Sequence, residues 1–559
     1  MPDGKTTRLL YMSALAVASP DRASTATSVS RSEIISALSF ALDLTEGAVT
    51  GHALRSCLLG MRIADHVPVP IQQRRSLYYG LLLKDVGCSS NAARMCQIIG
   101  GDDRALKAGV KLEDWTRPHR PSMSSLGLLW KLVMPEANAF RKFPRIGHIA
   151  RMQHRNNEQM IKLRCDRGAS ILNKLGMGAD AADTVLYLDE HWDGSGYPER
   201  RRKHDIPLLA RIAAVSQHLD VFATERGPEL AVTALQQRSG RWFDPELVAI
   251  ATSLHAEGLL WSGAEQSVDV EETRRRVLAM APEEERPLAA SEVDLICEAF
   301  AEVVDAKSPF TYHHSIGVAN AANAIAKHMD LADARLQLVG RASLLHDIGK
   351  LSVPNTILDK PGKLTAPEWK VLEQHPGLTR QILSRASAFQ NLAVIAGEHH
   401  EKLDGTGYPE GLRAQDLCLE SRIVAVADVY GALAEDRPYR KALALEEVVS
   451  IMQGMAPHQL DPECVEALVQ VTARDGGLSC YSPGVCAQTR RSCSGARAWR
   501  WRSRAAIRLH TPHHAEDVVL VRSGIGFCAV VARPKFCLCA MKNSAWTDPG
   551  SEDETHSEE

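Results

Sequence analysis

The chain has 559 residues, of which 45% are hydrophobic and 24% are charged, and its formal net charge is −3. This balance is ordinary for a globular protein and argues against a strongly basic nucleic-acid-binding surface. No run of about 18 or more apolar residues occurs, so we expect no membrane span. The 13 cysteines are an odd number without the spacing of a disulfide framework, which favours a cytoplasmic location.

The first residues contain a short apolar run from Leu9 to Ser19, with the acidic Asp3 close to the start. An acidic flank is unusual for a secretory signal, so we interpret residues 1–30 as a flexible leader. From residue 31 onwards the chain is rich in Ala, Leu and Arg, and its apolar residues recur at helical spacing. We therefore predict an all-α fold.

Two parts of the chain repeat each other. Asp193 to Pro198 reads DGSGYP, and Asp404 to Pro409 reads DGTGYP, 211 positions later. Upstream, LLKDVG from Leu82 matches LLHDIG from Leu344, 262 positions later. Because the matches keep the same order in both halves, they indicate a duplicated helical domain, with about 51 extra residues in the first copy.

These matches divide the helical part of the chain into two tandem domains. We predict a first copy over 31–261 with an insertion around 88–163, a linker over 262–290 and a second copy over 291–475. The segment 115–121, which reads WTRPHRP, is predicted to leave the helical core.

The last part of the chain, residues 476–559, differs in composition. It is rich in Arg and Cys, and its apolar residues follow neither a helical nor a strand period. We predict an irregular, disordered tail. Nucleic-acid binding by the Trp/Arg cluster at 498–504 is the less favoured alternative.

The second copy concentrates side chains that bind divalent metals. Its histidine and aspartate candidates are His314, His346, Asp347, His375, His399, His400 and Asp428. A lone histidine on an apolar helix is usually structural, but this number suits two metals that share one carboxylate, since one site needs only about four ligands. Imidazole and carboxylate together favour Fe or Mn, and also permit Zn or Ni.

These motifs resemble the HD-GYP family of bacterial phosphodiesterases, a branch of the HD phosphohydrolase superfamily. The matching residues are HDIGK at 346–350, HP at 375–376, HHE at 399–401, DGTGYP at 404–409 and Asp428. The resemblance covers about residues 291 to 460, and this motif set is highly specific. It implies that two metals activate a water molecule, which attacks a phosphodiester of cyclic di-GMP.

The resemblance also implies roles for individual residues. One metal would be held by His314, His346, Asp347 and Asp428, and the other by Asp347, His375, His399 and His400. Asp347 and Lys350 would be catalytic, and Lys350 would stabilise charge on the phosphate. The substrate-binding residues would be Gly407, Tyr408, Pro409, Arg437 and Arg440.

Two points in this comparison leave alternatives open. Arg437 and Arg440 fit a solvated charged turn as well as they fit phosphate contacts. Phe310 occupies the position of a glutamate that helps to bind a third metal in some family members, so we expect two metals. The product, the linear dinucleotide or GMP, does not follow from these residues.

Other functions and partners were weighed against this interpretation. The second copy could hydrolyse another nucleotide or phosphoester, which the Gly-Tyr-Pro motif disfavours, or the chain could be a non-catalytic regulatory protein. Besides the cyclic dinucleotide, we expect a homodimer and signalling partners of the first copy as associations. Neither a membrane nor a nucleic acid is expected as a partner.

The first copy has lost most of the metal-binding residues. His52 and Asp85 remain, whereas the other equivalent ligand positions hold Lys84, Arg164, Leu188, Asp189 and Gln217, and Cys88 stands at the position of Lys350. Cations in the old pocket would repel a divalent metal. We therefore predict an inactive, metal-free copy with a regulatory or packing role, or with a pocket for an anion such as a nucleotide. His191 and His218 lie out of register and are given no role.

Overall fold

The computed structural model of the chain describes residues 30–474 without 114–122, 136, 262–268, 283–286, 312 and 439, and then 518–523 and 526–531. The predicted leader, the segment 115–121 and most of the predicted tail lie outside these residues. Between residues 30 and 474 the described chain forms helices joined by turns and loops, which confirms the all-α prediction. None of the described helices combines the length and hydrophobicity that crossing a bilayer requires.

The first copy and the segment after it contain helices α1 to α12. Their bounds are α1 Arg31–Glu46, α2 His52–Ala64, α3 Ile71–Leu82, α4 Ala92–Ile99, α5 Asp103–Leu112, α6 Met123–Leu132, α7 Ala139–Lys174, α8 Ala179–Leu186, α9 Leu208–Arg226, α10 Pro228–Gln237, α11 Pro245–Ala256 and α12 Val270–Ala279. The predicted insertion thus consists largely of α4, α5, α6 and the first part of α7. Helix α12 lies within the predicted linker.

The second copy contains helices α13 to α22. Their bounds are α13 Ala290–Asp305, α14 His314–His328, α15 Asp333–Leu345, α16 Asn355–Leu358, α17 Ala366–Leu372, α18 His375–Leu383, α19 Gln390–Gly397, α20 Leu419–Ala434, α21 Leu445–Met455 and α22 Pro462–Arg474. A 3₁₀ turn at Ile348–Ser352, called the 348 turn below, follows α15.

The helix ends follow from local sequence. Ser30 precedes α1 and accepts a hydrogen bond from the backbone nitrogen of Glu33, and Gly47 ends the helix at a φ of 62°. Asp244 in turn caps α11 by accepting from the backbone nitrogen of Glu246 at 3.0 Å. Both devices satisfy backbone groups that a helix end leaves without partners.

The glycine of each repeated motif marks equivalent packing in the two copies. A Cβ at Gly349 would overlap the carbonyl oxygen of His375, and a Cβ at Gly87 would overlap that of Arg164. Only glycine permits this approach of two backbones. The packing puts Arg164 of the first copy where His375 stands in the second, as the spacing of the repeat predicts.

The two copies share one hydrophobic core, because their buried apolar residues form a single continuous cluster. Helix α1 reaches both. Glu33 accepts from the backbone nitrogen of Ser387 at 2.7 Å, and the guanidinium of Arg385 lies 3.9 Å from the ring centre of Phe40. The second copy is therefore packed against the first along α1.

The described residues after residue 483 belong to a separate unit. Its described residues are two antiparallel strands, β1 Val518–Ser523 and β2 Gly526–Val531, with Val518 opposite Val531 and Ser523 opposite Gly526. The sequence did not predict this hairpin, because each strand has only six residues and lies in a stretch of irregular composition.

Candidate metal centre

Five elements of the second copy bring the seven predicted metal ligands together. His314 is the first residue of α14, His346 and Asp347 follow α15, and His375 is the first residue of α18. His399 and His400 follow α19, and Asp428 lies within α20. Six of the seven are buried and His400 is partly buried, so the cluster lies inside the helical bundle.

Asp347 lies at the centre of the cluster and faces imidazoles on both sides. Its Oδ2 is 3.3 Å from His346 Nε2 and 3.8 Å from His314 Nε2. Its Oδ1 is 3.3 Å from His375 Nε2 and 3.6 Å from His399 Nε2. Each carboxylate oxygen therefore faces its own pair of nitrogens, which is the arrangement that a carboxylate shared by two cations requires.

Asp428 closes the cluster from the opposite side. Its Oδ1 lies 3.2 Å from His314 Nε2 and 3.6 Å from His346 Nε2, and its Oδ2 lies 3.6 Å from His400 Nδ1. His375, His399 and His400 form one set of ligand atoms within 4.8 Å of one another, and His314, His346 and Asp347 form a second. Two adjacent sets of donors are thus present.

Backbone carbonyls fix the orientation of three imidazoles. The Nδ1 atoms of His346, His375 and His399 lie 2.7, 2.6 and 2.7 Å from the carbonyl oxygens of the residues three positions earlier. An Nδ1 that donates to a carbonyl leaves the lone pair on Nε2, which points to the cluster. The rings are therefore held in the tautomer that binds a metal.

The charges in the cluster suit a cation. Burial alone would raise the pKa of Asp347, but His346 and Lys350 hold it well below its usual range. Burial lowers the pKa of His375, and it lowers that of His400 to about 3. Burial also opposes protonation of His346, but Asp347 and Asp428 outweigh it and raise its pKa to about 10. Ionised carboxylates thus lie beside the neutral imidazoles of His375 and His400, and they favour the protonated form of His346.

The donor set fits divalent metals by a second criterion. Among the described residues, the buried atoms His314 Nε2, His346 Nε2 and Asp347 Oδ1 have no hydrogen-bond partner. Buried polar atoms without partners are costly unless another group satisfies them. All three atoms face the centre of the cluster, where bound cations would satisfy them.

Lys350 lies in the 348 turn and contacts the central carboxylate directly. Its Nζ donates to Asp347 Oδ2 at 2.6 Å, and its side chain is partly buried. A lysine at this distance supplies a fixed positive charge at the edge of the cluster.

The Gly-Tyr-Pro loop covers the cluster on the side of His400. The ring of Tyr408 lies 4.9 Å from that of His400, and the Tyr408 backbone nitrogen donates to the His400 carbonyl at 3.2 Å. A Cβ at Gly407 would overlap the backbone of residues 400–402, so the loop needs glycine there. Pro409 follows Tyr408 and continues the loop.

Glu401 positions this loop, and its role was missed by the sequence reasoning. The buried carboxylate accepts from the backbone nitrogens of Glu410, Gly411 and Leu412 at 2.7, 3.1 and 2.8 Å. In the first copy, Glu190 accepts from the backbone nitrogen of Glu199 at 2.6 Å in the same way. The sequence signal that could have revealed this role is the presence of the glutamate at the same position in both copies.

The two predicted phosphate-binding arginines follow α20 and contact its last carbonyls. Arg440 donates to the carbonyls of Leu433 and Ala432 at 3.0 and 2.7 Å, and Arg437 Nη2 lies 3.7 Å from Glu435. Glu435, which the sequence reasoning also missed, lies 2.8 Å from Nδ1 of His314. The arginines therefore stabilise the turn that carries Glu435, the partner of His314.

The equivalent cluster in the first copy is internally paired. Lys84 forms an ion pair with Asp85, and Arg164 forms one with Asp189, as the replacement of ligands by cations suggests. Nδ1 of His52 lies 2.6 Å from Asp220. Glu46, Asp85 and Cys88 lie close enough to form a ligand set, but Lys111 lies 2.8 Å from Glu46 and 3.9 Å from Asp85. A divalent cation there would meet two lysines.

The chain is similar to known proteins along both copies. A family model described as HD domain matches residues 146–247 and 298–464, one segment in each copy. The 3′3′-cGAMP-specific phosphodiesterase 3 of Vibrio cholerae is 39% identical over 439 residues, which make up 78% of this chain and 93% of that protein. A cyclic di-GMP phosphodiesterase of Pseudomonas aeruginosa is 41% identical over 162 residues, or 29% of this chain and 39% of that protein.

A solved structure extends the similarity to the fold. The crystal structure of a cyclic GMP-AMP-specific phosphodiesterase of Vibrio cholerae matches with a TM-score of 0.54 and 34% identity. The match covers 79% of this chain and 97% of that one, so it includes both copies. Given this similarity and the ligand geometry of the second copy, the chain belongs to the HD-GYP family of metal-dependent phosphodiesterases.

Proposed function

We propose that the second copy hydrolyses a cyclic dinucleotide with the help of two divalent metal ions. The observation that carries this proposal is the placement of Asp347, whose two carboxylate oxygens each face a separate pair of imidazoles. One ion would be held by His314, His346, Asp347 and Asp428, and the other by Asp347, His375, His399 and His400. Bound there, the ions would supply the Lewis acidity and the lowered pKa of water that phosphodiester hydrolysis needs.

The protein's own residues would orient the substrate. Lys350 Nζ, held 2.6 Å from Asp347, would neutralise charge on the phosphate under attack. The Gly407-Tyr408-Pro409 loop presents an aromatic ring beside His400, where a base or ribose could pack. Arg437 lies 3.7 Å from Glu435, which in turn contacts His314. These placements support roles in substrate binding.

Two substrates are candidates. The motif resemblance predicts cyclic di-GMP, and the relative from Pseudomonas aeruginosa that matches the chain over 162 residues is named for that substrate. The Vibrio cholerae relative that matches over 439 residues, and so along both copies, is named for 3′3′-cGAMP. Because this longer match spans both copies, 3′3′-cGAMP is the second candidate substrate. Both are cyclic dinucleotides with guanine, so one pocket chemistry serves either.

We propose Fe or Mn as the resident metals, because imidazole and carboxylate donors suit them, with Zn or Ni as alternatives. Two ions are expected, since Phe310 offers no ligand atom for a third. The first copy is proposed to be inactive and to regulate or support the second, in a cytoplasmic protein that forms homodimers or binds signalling partners. The pairing of Lys84 with Asp85 supports its inactivity.

The test compares equivalent positions of the two copies. Asp428→Ala removes the carboxylate that lies beside His314, His346 and His400, whereas Gln217→Ala changes the equivalent position in the first copy. The full chain, loaded with Mn or Fe, is assayed with cyclic di-GMP and with 3′3′-cGAMP. We expect turnover of at least one dinucleotide by the wild type and by Gln217→Ala, and none by Asp428→Ala.

Three outcomes would decide against the proposal. Equal turnover in Asp428→Ala and the wild type would refute the site. Absence of turnover by a folded, metal-loaded wild type would refute the activity. Loss of turnover in Gln217→Ala alone would move the activity to the first copy. The ratio of kcat/KM for the two dinucleotides identifies the preferred substrate.

A further inference from the structure

The first copy contains a cavity of about 200 Å³ at the position of the lost metal site. Helix α9 and the loop before it form one wall, and the residues Trp242 and Phe243 before α11 form another. Helices α4 and α5 of the insertion and the middle of α7 close the remaining sides. The insertion therefore helps to enclose a cavity in the first copy, at the position that the metal cluster occupies in the second copy.

Four aromatic rings lie in the wall, those of His191, His218, Trp242 and Phe243. The ring of His191 stacks on Trp242 with centroids 4.4 Å apart and planes 17° apart. The ring of His218 lies 4.8 Å from that of Phe243. Apolar side chains such as Val110 and Met160 line the rest. Stacked aromatic and aliphatic surfaces of this kind favour a flat, apolar-faced ligand.

Two polar side chains in this wall have atoms left without partners. Within the part of the chain that is described, Gln217 Oε1 and His218 Nε2 are buried and accept or donate no hydrogen bond. His218 Nδ1 lies 3.4 Å from Arg238, which can only donate. Burial and the charge of Arg238 lower the pKa of His218, so the ring is neutral and its proton lies on Nε2. The wall thus offers one acceptor and one donor on neighbouring residues.

The cations of the cavity already have partners. Lys111 lies 2.8 Å from Glu46, Arg164 pairs with Asp189, and Lys107 donates to the carbonyl of Cys88 at 2.9 Å. A phosphate would have to displace buried carboxylates to reach these side chains. The pairing therefore argues against the anion that the cationic substitutions alone suggest, and it favours an uncharged group.

We propose that this cavity binds an uncharged planar heteroaromatic ring with adjacent hydrogen-bond donor and acceptor atoms, the chemistry of a purine base, and that helix α5 transmits its occupancy to the catalytic copy. The ring would lie among the aromatic side chains, with its polar edge against Gln217 and His218. The binding part of this proposal does not depend on the proposed phosphodiesterase activity. The transmission part rests on it.

Helix α5 connects the cavity to the catalytic copy. Lys107 and Val110 line the cavity, while at the start of the same helix Asp103 accepts from the backbone nitrogen of Asn355 at 3.2 Å. The guanidinium of Arg104 donates to the carbonyl of Ser352, the last residue of the 348 turn. That turn carries Lys350. A movement of α5 that accommodates a ligand would therefore displace the turn that positions Lys350.

Binding is tested on the full chain with guanosine and adenosine, and with inorganic phosphate as the charged probe, by calorimetry and tryptophan fluorescence. We expect one nucleoside to bind and phosphate not to bind. Gln217→Leu and His218→Phe remove the acceptor and the donor, and each should weaken binding about tenfold. Gln237→Leu, the same change at an exposed position on α10, should leave the affinity unchanged.

Several results would overturn the binding proposal. They are no nucleoside binding by the folded wild type, binding of phosphate instead, or nucleoside binding that persists in both cavity variants. Nucleoside binding that is lost only in His400→Ala would place the ligand in the second copy and would also overturn it. Thermal unfolding of each variant shows whether it has folded. If one of the two cavity variants, Gln217→Leu or His218→Phe, does not fold, the other is used for the test.

Transmission is tested by the rate of cyclic dinucleotide hydrolysis with and without the nucleoside. The nucleoside should change kcat by about fivefold or more in the wild type. Arg104→Ala cuts the contact with Ser352 but leaves the cavity intact, so it should still bind the nucleoside and lose the response. An unaltered response in Arg104→Ala, or no response in an active wild type, would overturn the transmission. Neither result would affect the separate tests of nucleoside binding and of phosphodiesterase activity.

Discussion

Asp347 lies next to more of the predicted metal ligands than its neighbours do, because it is the single carboxylate that faces four imidazoles. Its charge is balanced on one side by Lys350. The lysine is not placed among the metal ligands, since its Nζ is a cation that cannot coordinate a metal in this form. Removing it should therefore affect the chemical step rather than the metal.

Lys350→Met is expected to lower kcat about a hundredfold, because it removes a fixed positive charge near the phosphate under attack. The metal content should stay at the wild-type level. Lys360→Met, at a lysine that pairs with Glu368 instead, serves as the matched control and should leave kcat unchanged. Atomic absorption together with initial rates measures both quantities. A parallel loss of metal and kcat would contradict the role given to Lys350.

Glu435 is a second residue whose contribution the geometry exposes. It lies 2.8 Å from His314 Nδ1 and so orients that ring towards Asp428. Carboxylates that hold a ligating histidine typically contribute about tenfold or more to metal affinity. Glu435→Ala should weaken metal binding by that factor, whereas Glu447→Ala, at an exposed glutamate on α21, should not. Competition with a chelator measures the affinities, and equal values would remove Glu435 from the site.

The residues that the sequence revealed and those it did not differ in one respect. The metal ligands lie in dense, ordered motifs, so their pattern stands out against isolated histidines. Glu435 is a single carboxylate that meets its partner, a histidine 121 positions away, only in the fold, and the motif that contains Glu401 does not show that this carboxylate binds the backbone of residues 410–412. Arg437 and Arg440 were predicted from position alone, and the structure shows them on backbone carbonyls.

At the scale of the helices, α2 and α14 share an anchor outside the repeated motifs. Asp43 accepts from the backbone nitrogens of Gly51 and Ala53 at 2.7 and 3.0 Å. Asp305, 262 positions later, accepts from the backbone nitrogen and hydroxyl of Ser315 at 3.2 and 2.7 Å. Each buried carboxylate fixes the start of the helix whose first residue is His52 or His314, and so the position of that histidine.

Asp43, which lies in α1 and anchors the start of α2, should give the protein a pH-dependent stability. Burial raises the pKa of Asp43 from 3.8 to about 7. Between these values the folded state keeps a proton that the unfolded state has lost, so the free energy of unfolding falls as pH rises through this window. Urea unfolding at about pH 4.5 and 7.5 should show a smaller fall in Asp43→Asn than in the wild type. An unchanged fall would contradict the raised pKa.

The insertion shows what a repeat can and cannot predict about elements. Comparing the copies located the extra residues within about 88–163, because the two motif offsets differ. The comparison had no counterpart from which to predict α4, α5 and α6. Nor did it show that α5 would contact the 348 turn, since Asp103 and Asn355 are 252 positions apart. Contacts of that range follow from packing and not from local pattern.

At the scale of the whole molecule, the two copies form one packed body between residues 31 and 474. Their core is continuous, and the contacts of α1 and α5 with the second copy add hydrogen bonds across the boundary. The tandem arrangement was predicted from the repeat, but this shared core was not, because surface complementarity between copies has no sequence period. Such a body should unfold as one unit.

Leu58→Ala tests this cooperativity. Leu58 is buried in the first copy, and truncating it should cost about 2–5 kcal/mol. The Tm of the full chain and the temperature at which the second copy releases its metal should fall together. Leu230→Ala, at an exposed leucine of the same copy, should change neither. A lowered Tm for the first copy with unchanged metal release would show that the copies unfold independently.

The proposed function requires that the chain hold two metal ions and that both lie in the second copy. Anomalous diffraction from crystals of the full chain grown with Mn measures this directly. We predict two peaks among α14, α15, α18, α19 and α20, one beside each carboxylate oxygen of Asp347, and none beside Glu46, Asp85 and Cys88. A single peak, a third peak near Phe310 or a peak in the first copy would contradict the account.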